Sequence, residues 1–194
     1  MRVYYEKRAA EYDDWWRGTG LFAARERPGW HEDVEALGVV LRGLAPARTL
    51  DLACGTGFLT RWLPGEVTGV DQGASMVEIA HSRRPDGAFE VGDALEPRRG
   101  FERIFSSHFY GHLDEAQRAT FLALPRSSEL IVVDSALRPR GVEEDWQERV
   151  LSDGSRHSVY KRWFTASGLA EEIGGEVLYD GPWFVAARSS SPRS

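Results

Sequence analysis

The choice of fold narrows at Thr49-Leu50-Asp51-Leu52-Ala53-Cys54-Gly55-Thr56-Gly57. A short apolar run breaks into two glycines one residue apart, and Phe58, Leu59, Trp62 and Leu63 then resume helical spacing, so the segment reads as strand, tight turn, helix. The theme recurs: residues 67–71, 88–91, 101–106 and 129–134 read as strands, with helices over 74–83 and 113–124 between them. A helix over 34–44, with Val34, Leu37, Val40, Leu41 and Leu44 on one face, feeds the first strand and stops at Ala45-Pro46. Strands alternating with helices argue for a parallel sheet covered on both faces.

Past Leu137 the pattern changes. Residues 143–151 read as helical or extended, Asp153-Gly154 as a hairpin-type turn, and 165–173 as a helix capped by Thr165 and ended by Gly174-Gly175. Strands over 176–179 and 183–187, joined by Asp180-Gly181-Pro182, are too close to be anything but an antiparallel pair on the sheet edge. The expected fold is α/β, a doubly wound and mostly parallel seven-strand sheet with an antiparallel C-terminal hairpin. One domain is expected over 1–188, with residues 189–194 a disordered tail too polar to pack.

Composition excludes more than it selects. Thirty acidic residues against 24 lysines and arginines give a net charge of −6, which offers no general attraction for a phosphate backbone, so no nucleic-acid partner is expected. Cys54 is the only cysteine, so neither an intramolecular disulfide nor a thiol-based metal site is expected, and a reducing cytoplasm fits. Residues 1–8 lack the apolar core of a secretory signal, and the longest aliphatic run, Leu130-Ile131-Val132-Val133, is far too short for a bilayer.

In a doubly wound sheet a ligand sits beyond the carboxyl ends of the strands, and the first strand-to-helix turn comes closest to it. Gly55 and Gly57 fall in that turn, where missing Cβ atoms let backbone N–H groups approach a ligand, although a tight connection without a ligand has the same pattern. Asp71 ends the second strand, where a carboxylate accepts from two ribose hydroxyls, and Asp93 follows the third, near an adenine amino group. Each aspartate alone also suits a turn or a cap; the three features in order on successive strands are specific. A nicotinamide dinucleotide fits poorly, because the fingerprint started at Gly55 puts Thr60 where glycine or alanine belongs. Asp51 would repel a pyrophosphate and suits a ligand with a cationic amino group.

These residues resemble the motifs of class I S-adenosylmethionine-dependent methyltransferases of the small-molecule type: 50–57 the first, Val70-Asp71 the second, Gly92-Asp93-Ala94 the third. The resemblance spans roughly residues 4–187. It implies S-adenosylmethionine as cofactor and S-adenosylhomocysteine as product, with Asp51, Ala53, Gly55 and Gly57 under the methionine part. Asp71 with Gln72 would meet the ribose, and Met76, Asp93, Ala94 and Leu95 the adenine. Ala53 departs from the usual glycine and is tolerable if its φ is negative.

The tyrosine-rich start, 4–16, resembles a lid helix folding over the cofactor, so 1–30 is expected as a lid with Tyr5, Arg8 and Tyr12 on one face; an amphipathic helix packed on the domain is the plainer reading. The fourth strand leads into 106–112, the acceptor side in the family, with His108 lining the cofactor and His112 as the base where the nucleophile must lose a proton. An insertion, 138–164, would carry acceptor specificity. Its cations with His157 and Tyr160 suit a carboxylate or phenolate, and a solvated hairpin is the alternative. Trp16 and Tyr110 complete the implied acceptor set.

The function expected is methyl transfer to O, N or C of a small molecule by a monomer or homodimer. The alternatives are a non-catalytic S-adenosylmethionine-binding regulatory or partner subunit, and an RNA or protein methyltransferase. No Asn- or Asp-Pro-Pro-Tyr signature follows the fourth strand, which argues against amide or exocyclic base nitrogen.

Overall fold

A computed structural model describes residues 2–124 and 128–189; of the tail expected over 189–194, Ser189 is instead the end of a strand and the rest lies outside the described residues. Seven strands form one sheet: β1 (Thr49–Leu52), β2 (Val67–Asp71), β3 (Ala88–Val91), β4 (Arg103–Ser107), β5 (Glu129–Ser135), β8 (Glu176–Asp180) and β9 (Phe184–Ser189). Their order is β3-β2-β1-β4-β5-β9-β8, parallel through β5, with β9 antiparallel to both β5 and β8. The doubly wound sheet and its closing hairpin are therefore as expected, with β9 running on to Ser189. The chain order reverses between β1 and β4, which opens a crevice at their carboxyl ends.

The central strands are apolar on both sides. Along β5, Leu130 and Val132 pack into one layer with Phe121, Leu169 and Ile173, while Ile131 and Val133 pack into the other with Leu37, Leu41 and Phe58. Two-sided burial is why this strand reads as an unbroken aliphatic run. Helices α3 (Trp30–Arg42), α4 (Ala74–Arg83), α5 (Glu115–Ala123) and α6 (Ala166–Glu172) cover the sheet. Asp114 opens α5 with a full capping box, and Thr165 accepts from Gly168 N–H to open α6.

Two local expectations need correction, and one open alternative is resolved. The segment after Gly57 is not a full helix but a single 3-10 turn, Thr60–Trp62, because Pro64 forces Leu63 into extended backbone. The N-terminal segment is not one helix: α1 (Arg2–Arg8) runs into a 3-10 turn, then α2 (Asp14–Arg17) ends at left-handed Gly18. The ambiguous stretch 143–151 is extended. Strand β6 (Glu144–Val150) pairs antiparallel with β7 (Arg156–Arg162) in a separate two-stranded sheet.

The N-terminal segment is fastened to the domain rather than hung from it. Glu6 accepts from Ser75 N and Oγ at the start of α4, Asp13 pairs with Arg83 at its end, and Thr56 Oγ1 donates to Asp13 Oδ1 at 2.7 Å. Trp16, 3% exposed, stacks between Phe58 (4.7 Å, 7° between planes) and Phe184 (5.3 Å, 26°). No helix among the described residues is long and apolar enough to cross a membrane.

Candidate functional site

A cavity of about 240 Å3 opens at the β1–β4 switch, where the sheet topology demands one. The loop after β1 forms its floor. Gly55 has φ +54°, and its N–H donates to Asp71 Oδ2 at 2.9 Å, while Gly73 N–H donates to Oδ1 at 2.8 Å. Each Asp71 oxygen thus has a backbone donor and a remaining lone pair, the valence that two vicinal hydroxyls require. Burial, more than these bonds offset, raises the Asp71 pKa. Gly57 (φ +70°) lies just outside the cavity; a Cβ there would approach Ala80 Cβ to 3.2 Å, so its bareness lets the loop sit on α4.

Beyond Asp71 the wall turns flat and apolar. Met76, Ala94 and Leu95 line it with Gln72, and Asp93 Oδ1 takes Leu95 N–H at 2.9 Å, which fixes the turn. Phe109, Leu113, Ser107 and Gln117 join them. Ser107 and Phe109 fall in the stretch 106–112 expected on the acceptor side without being singled out; Leu113 and Gln117 were missed, because nothing in their sequence spacing says that the start of α5 folds back over the crevice. Tyr5 and Tyr12 close the top, and burial raises both hydroxyls, Tyr12 to about 12, so both remain protonated donors.

Ala53 also lines the cavity, but its φ is +57°, not negative. An alanine in left-handed backbone costs on the order of 1–2 kcal/mol, which the glycine usual at this position would avoid. His108, at the end of β4, is held at φ +52° as well. Two non-glycine residues in this conformation flank one crevice, a concentration of backbone strain where ligands bind.

Asp51 does not reach the cavity. Its carboxyl is fully buried under the loop, Oδ2 accepts from Thr60 Oγ1, and Oδ1 has no partner among the described residues. Burial pushes its pKa up to about 7. Arg8 is likewise withdrawn, its guanidinium donating to Tyr4 Oη at 2.7 Å and lying 4.9 Å from the Tyr12 ring centre, so it braces Tyr12 from behind.

On the other side of the crevice, His112 Nδ1 lies 2.5 Å from the Tyr160 carbonyl oxygen. A carbonyl cannot donate, so Nδ1 carries the proton and Nε2 holds a lone pair. Burial, with Lys161 adding to it, pushes the His112 pKa down to about 3; the ring is neutral and an acceptor throughout the physiological range. His108 is packed edge-on between Trp15 and Trp16, both 5.0 Å away, and burial pushes it to about 3 despite Asp134. Its Nε2 is buried without a partner among the described residues.

Four expected acceptor contacts go elsewhere. Trp16 is core. Tyr110 is buried with its hydroxyl on Glu172 at 3.0 Å, and His157 packs against Tyr4 with ring centres 5.1 Å apart. Tyr160 points its hydroxyl to Glu144 at 2.6 Å on the outer face of the hairpin, and only its carbonyl serves the site. Alternation along the strands explains Tyr160: Arg149 on β6 and His157 and Lys161 on β7 share the inner face, where His157 is taken up by Tyr4, whereas Arg156, Tyr160 and Arg162 face out. Lys161 forms a buried ion pair with Asp134, whose Oδ2 also takes Gly111 N–H at 2.8 Å.

Residues 49–127 match a family described as a methyltransferase domain. A dTDP-3-amino-3,6-dideoxy-alpha-D-glucopyranose N,N-dimethyltransferase of Streptomyces fradiae is 38% identical over 127 residues, 60% of this chain and 47% of that protein. A demethylmenaquinone methyltransferase of Thermotoga maritima is 48% identical over 54 residues, 25% of this chain and 24% of that protein. The chain thus spans less than half the length of these two relatives. The solved structure of a DhpI–SAH complex superposes with a TM-score of 0.73 at 24% identity, covering 98% of this chain and 95% of that one. That last likeness establishes the fold.

Proposed function

We propose that this chain, with the fold of class I S-adenosylmethionine-dependent methyltransferases and a methyltransferase domain over residues 49–127, transfers a methyl group from S-adenosylmethionine to a small-molecule acceptor. The observation that carries the reading is Asp71, its two oxygens held by Gly55 and Gly73 N–H with a lone pair left on each, beside the apolar wall of Met76 and Leu95. That combination of acceptors and apolar wall fits ribose hydroxyls and a purine. It has no cluster of cations for a pyrophosphate, which agrees with the poor dinucleotide fingerprint.

When bound, S-adenosylmethionine supplies a methyl group already activated by the sulfonium, so the protein has to align, desolvate and, where needed, accept a proton. Gly55 and Ala53 present loop backbone beneath the methionine part, and Tyr5 and Tyr12 exclude water from above. His112 Nε2, kept neutral by burial and oriented by the Tyr160 carbonyl, accepts a hydrogen bond from an O–H or N–H nucleophile and aligns its lone pair. A pKa near 3 makes it a weak proton store, so His112 is a positioning acceptor first and a base only as the nucleophile acidifies on methylation. His108 acts through packing and is no base.

The chain works as one domain, residues 1–30 as its lid and 138–164 as the cap over the acceptor, in the cytoplasm and without nucleic acid. The acceptors in the relatives' names, a demethylmenaquinone and a nucleotide-linked aminosugar, are small molecules, in line with this. Titration calorimetry with S-adenosylmethionine, S-adenosylhomocysteine and NAD tests the reading. Micromolar binding of the first two alone is expected; binding of NAD alone would overturn it.

A further inference from the structure

We propose that a second cavity, beside the first, holds the anionic group of the methyl acceptor, so that the substrate is a small organic acid bearing a carboxylate or a phosphoryl group. This rests on the methyltransferase reading and deepens it. The cavity measures about 410 Å3 and lies between the N-terminal segment and the β6–β7 sheet. Arg25 and Arg27 reach it from before α3, Arg138 from after β5, Arg149 from β6 and Lys161 from β7, and Glu26 is its only carboxylate.

This accumulation of cations stands out in a chain of net charge −6. Lys161 is neutralised by Asp134, but none of the four arginines has a carboxylate within 4.0 Å among the described residues, whereas Arg83, Arg103, Arg162 and Arg188 elsewhere all do. Like charges at this density repel, and burial adds to the penalty: it lowers the Arg27 pKa, with Arg25 lowering it further, and it lowers that of Arg149. Arg149 Nε is buried without a partner among the described residues, a donor left unsatisfied at some expense in stability. An oxyanion relieves all three penalties at once.

The guanidinium groups are also held in place. Arg27 lies 3.9 Å from the Trp30 ring centre and donates to the Trp15 carbonyl at 2.8 Å; Arg138 lies 4.9 Å from the Trp183 ring centre; Arg149 donates to Gln147 Oε1 at 2.6 Å. Stacking on an indole fixes a guanidinium plane and leaves edge N–H groups free, which is how a bidentate fork is prepared. The same tryptophans give the body of the acceptor an apolar wall.

A small cavity of about 40 Å3 lies between the two: it shares Arg149, Lys161 and Trp15 with the second, and Tyr5, Tyr12 and His112 with the first. An acid anchored on the arginines thus presents its nucleophile past His112 toward the cofactor cavity. A solvated basic patch would have no such place beside the cofactor cavity and no preference for an anion of a given shape.

The test is calorimetry on the full chain with benzoate, inorganic phosphate and the neutral benzamide as probes, with and without saturating S-adenosylhomocysteine. Benzoate or phosphate should bind at least about tenfold more tightly than benzamide, and Arg149→Met and Arg27→Gln should each remove about tenfold of that affinity. Arg156→Gln, on the outer face and paired with Glu148, should change nothing, and the exposed Arg138→Gln should fold normally and still weaken the anion. A preference for benzoate identifies the carboxylate, and one for phosphate the phosphoryl group. S-adenosylhomocysteine binding without anion preference overturns this inference and leaves the methyltransferase reading standing. Anion binding without S-adenosylhomocysteine binding removes both the methyltransferase reading and the acceptor role assigned here.

Discussion

The two cavities sit on either side of His112 and are built by opposite means. The first is built mainly from the carboxyl ends of β1, β2 and β4, the turn after β3 and the start of α5, closed over by Tyr5 and Tyr12, with Asp71 and Asp93 as its carboxylates. The second is assembled from the N-terminal segment, the stretch after β5, the β6–β7 hairpin and the bend before β9, and its charges are four arginines with Lys161 and Glu26. The first arises wherever a βαβ unit reaches a switch point, whereas the second depends on two additions to the sheet, the N-terminal segment and the β6–β7 hairpin. Cofactor recognition is therefore carried by topology, and acceptor recognition by what is packed onto it.

Breaking the buried pair under the second cavity should have the largest effect. Lys161→Met leaves Asp134 charged and unpaired at 0% exposure, and a loss of about 3–5 kcal/mol in urea unfolding is expected. On the cofactor side, Asp71→Ala removes the acceptor for two hydroxyls, and S-adenosylhomocysteine affinity should fall about a hundredfold by calorimetry while benzoate affinity stays put. Equal losses for both ligands would mean that the cavities are not separable.

The pH dependence separates the regions further. Asp51 is a carboxyl whose folded pKa is raised to about 7, so its contribution is fully present below the unfolded value of 3.8 and is lost as pH rises toward 7. Asp51→Asn should flatten the decline of stability across that window by about 2 kcal/mol, measured by unfolding at pH 4.5 and 8. His108 and His112 run the other way: with folded values near 3, they contribute above 6.5 and lose that contribution as pH falls through 3, so the aspartate is read from the difference between the two proteins. The smallest effect belongs to Ala53→Gly, which relieves a left-handed alanine and should raise stability by about 1 kcal/mol without changing the loop.

This contrast also explains what was legible in the sequence. Periodicity and punctuation identified β1 to β5 and the closing hairpin, because each depends on neighbours within a few residues. The same reasoning placed Asp71, Asp93 and Gly55 at one crevice, since topology fixes where strand ends meet. It failed where a distant residue decides. Asp51 turned inward to Thr60, and Ala53 took positive φ under constraints from the whole loop, whereas Pro64, which cut the helix after Gly57 to one turn, was a nearby signal already present in the sequence. Tyr160 and His157 were chosen for their chemistry, but strand alternation sent Lys161 inward instead of Tyr160 and set His157, opposite Arg149, against Tyr4, and the phase of that alternation was not readable while 143–151 was open between helix and strand.

A crystal structure of the chain grown with S-adenosylhomocysteine tests the central claim most directly. The account predicts ribose density against both oxygens of Asp71, adenine between Met76 and Leu95, and the sulfur directed toward His112. Adenosyl density in the arginine-lined cavity, or an Asp71 carboxylate without a ligand contact, would contradict it.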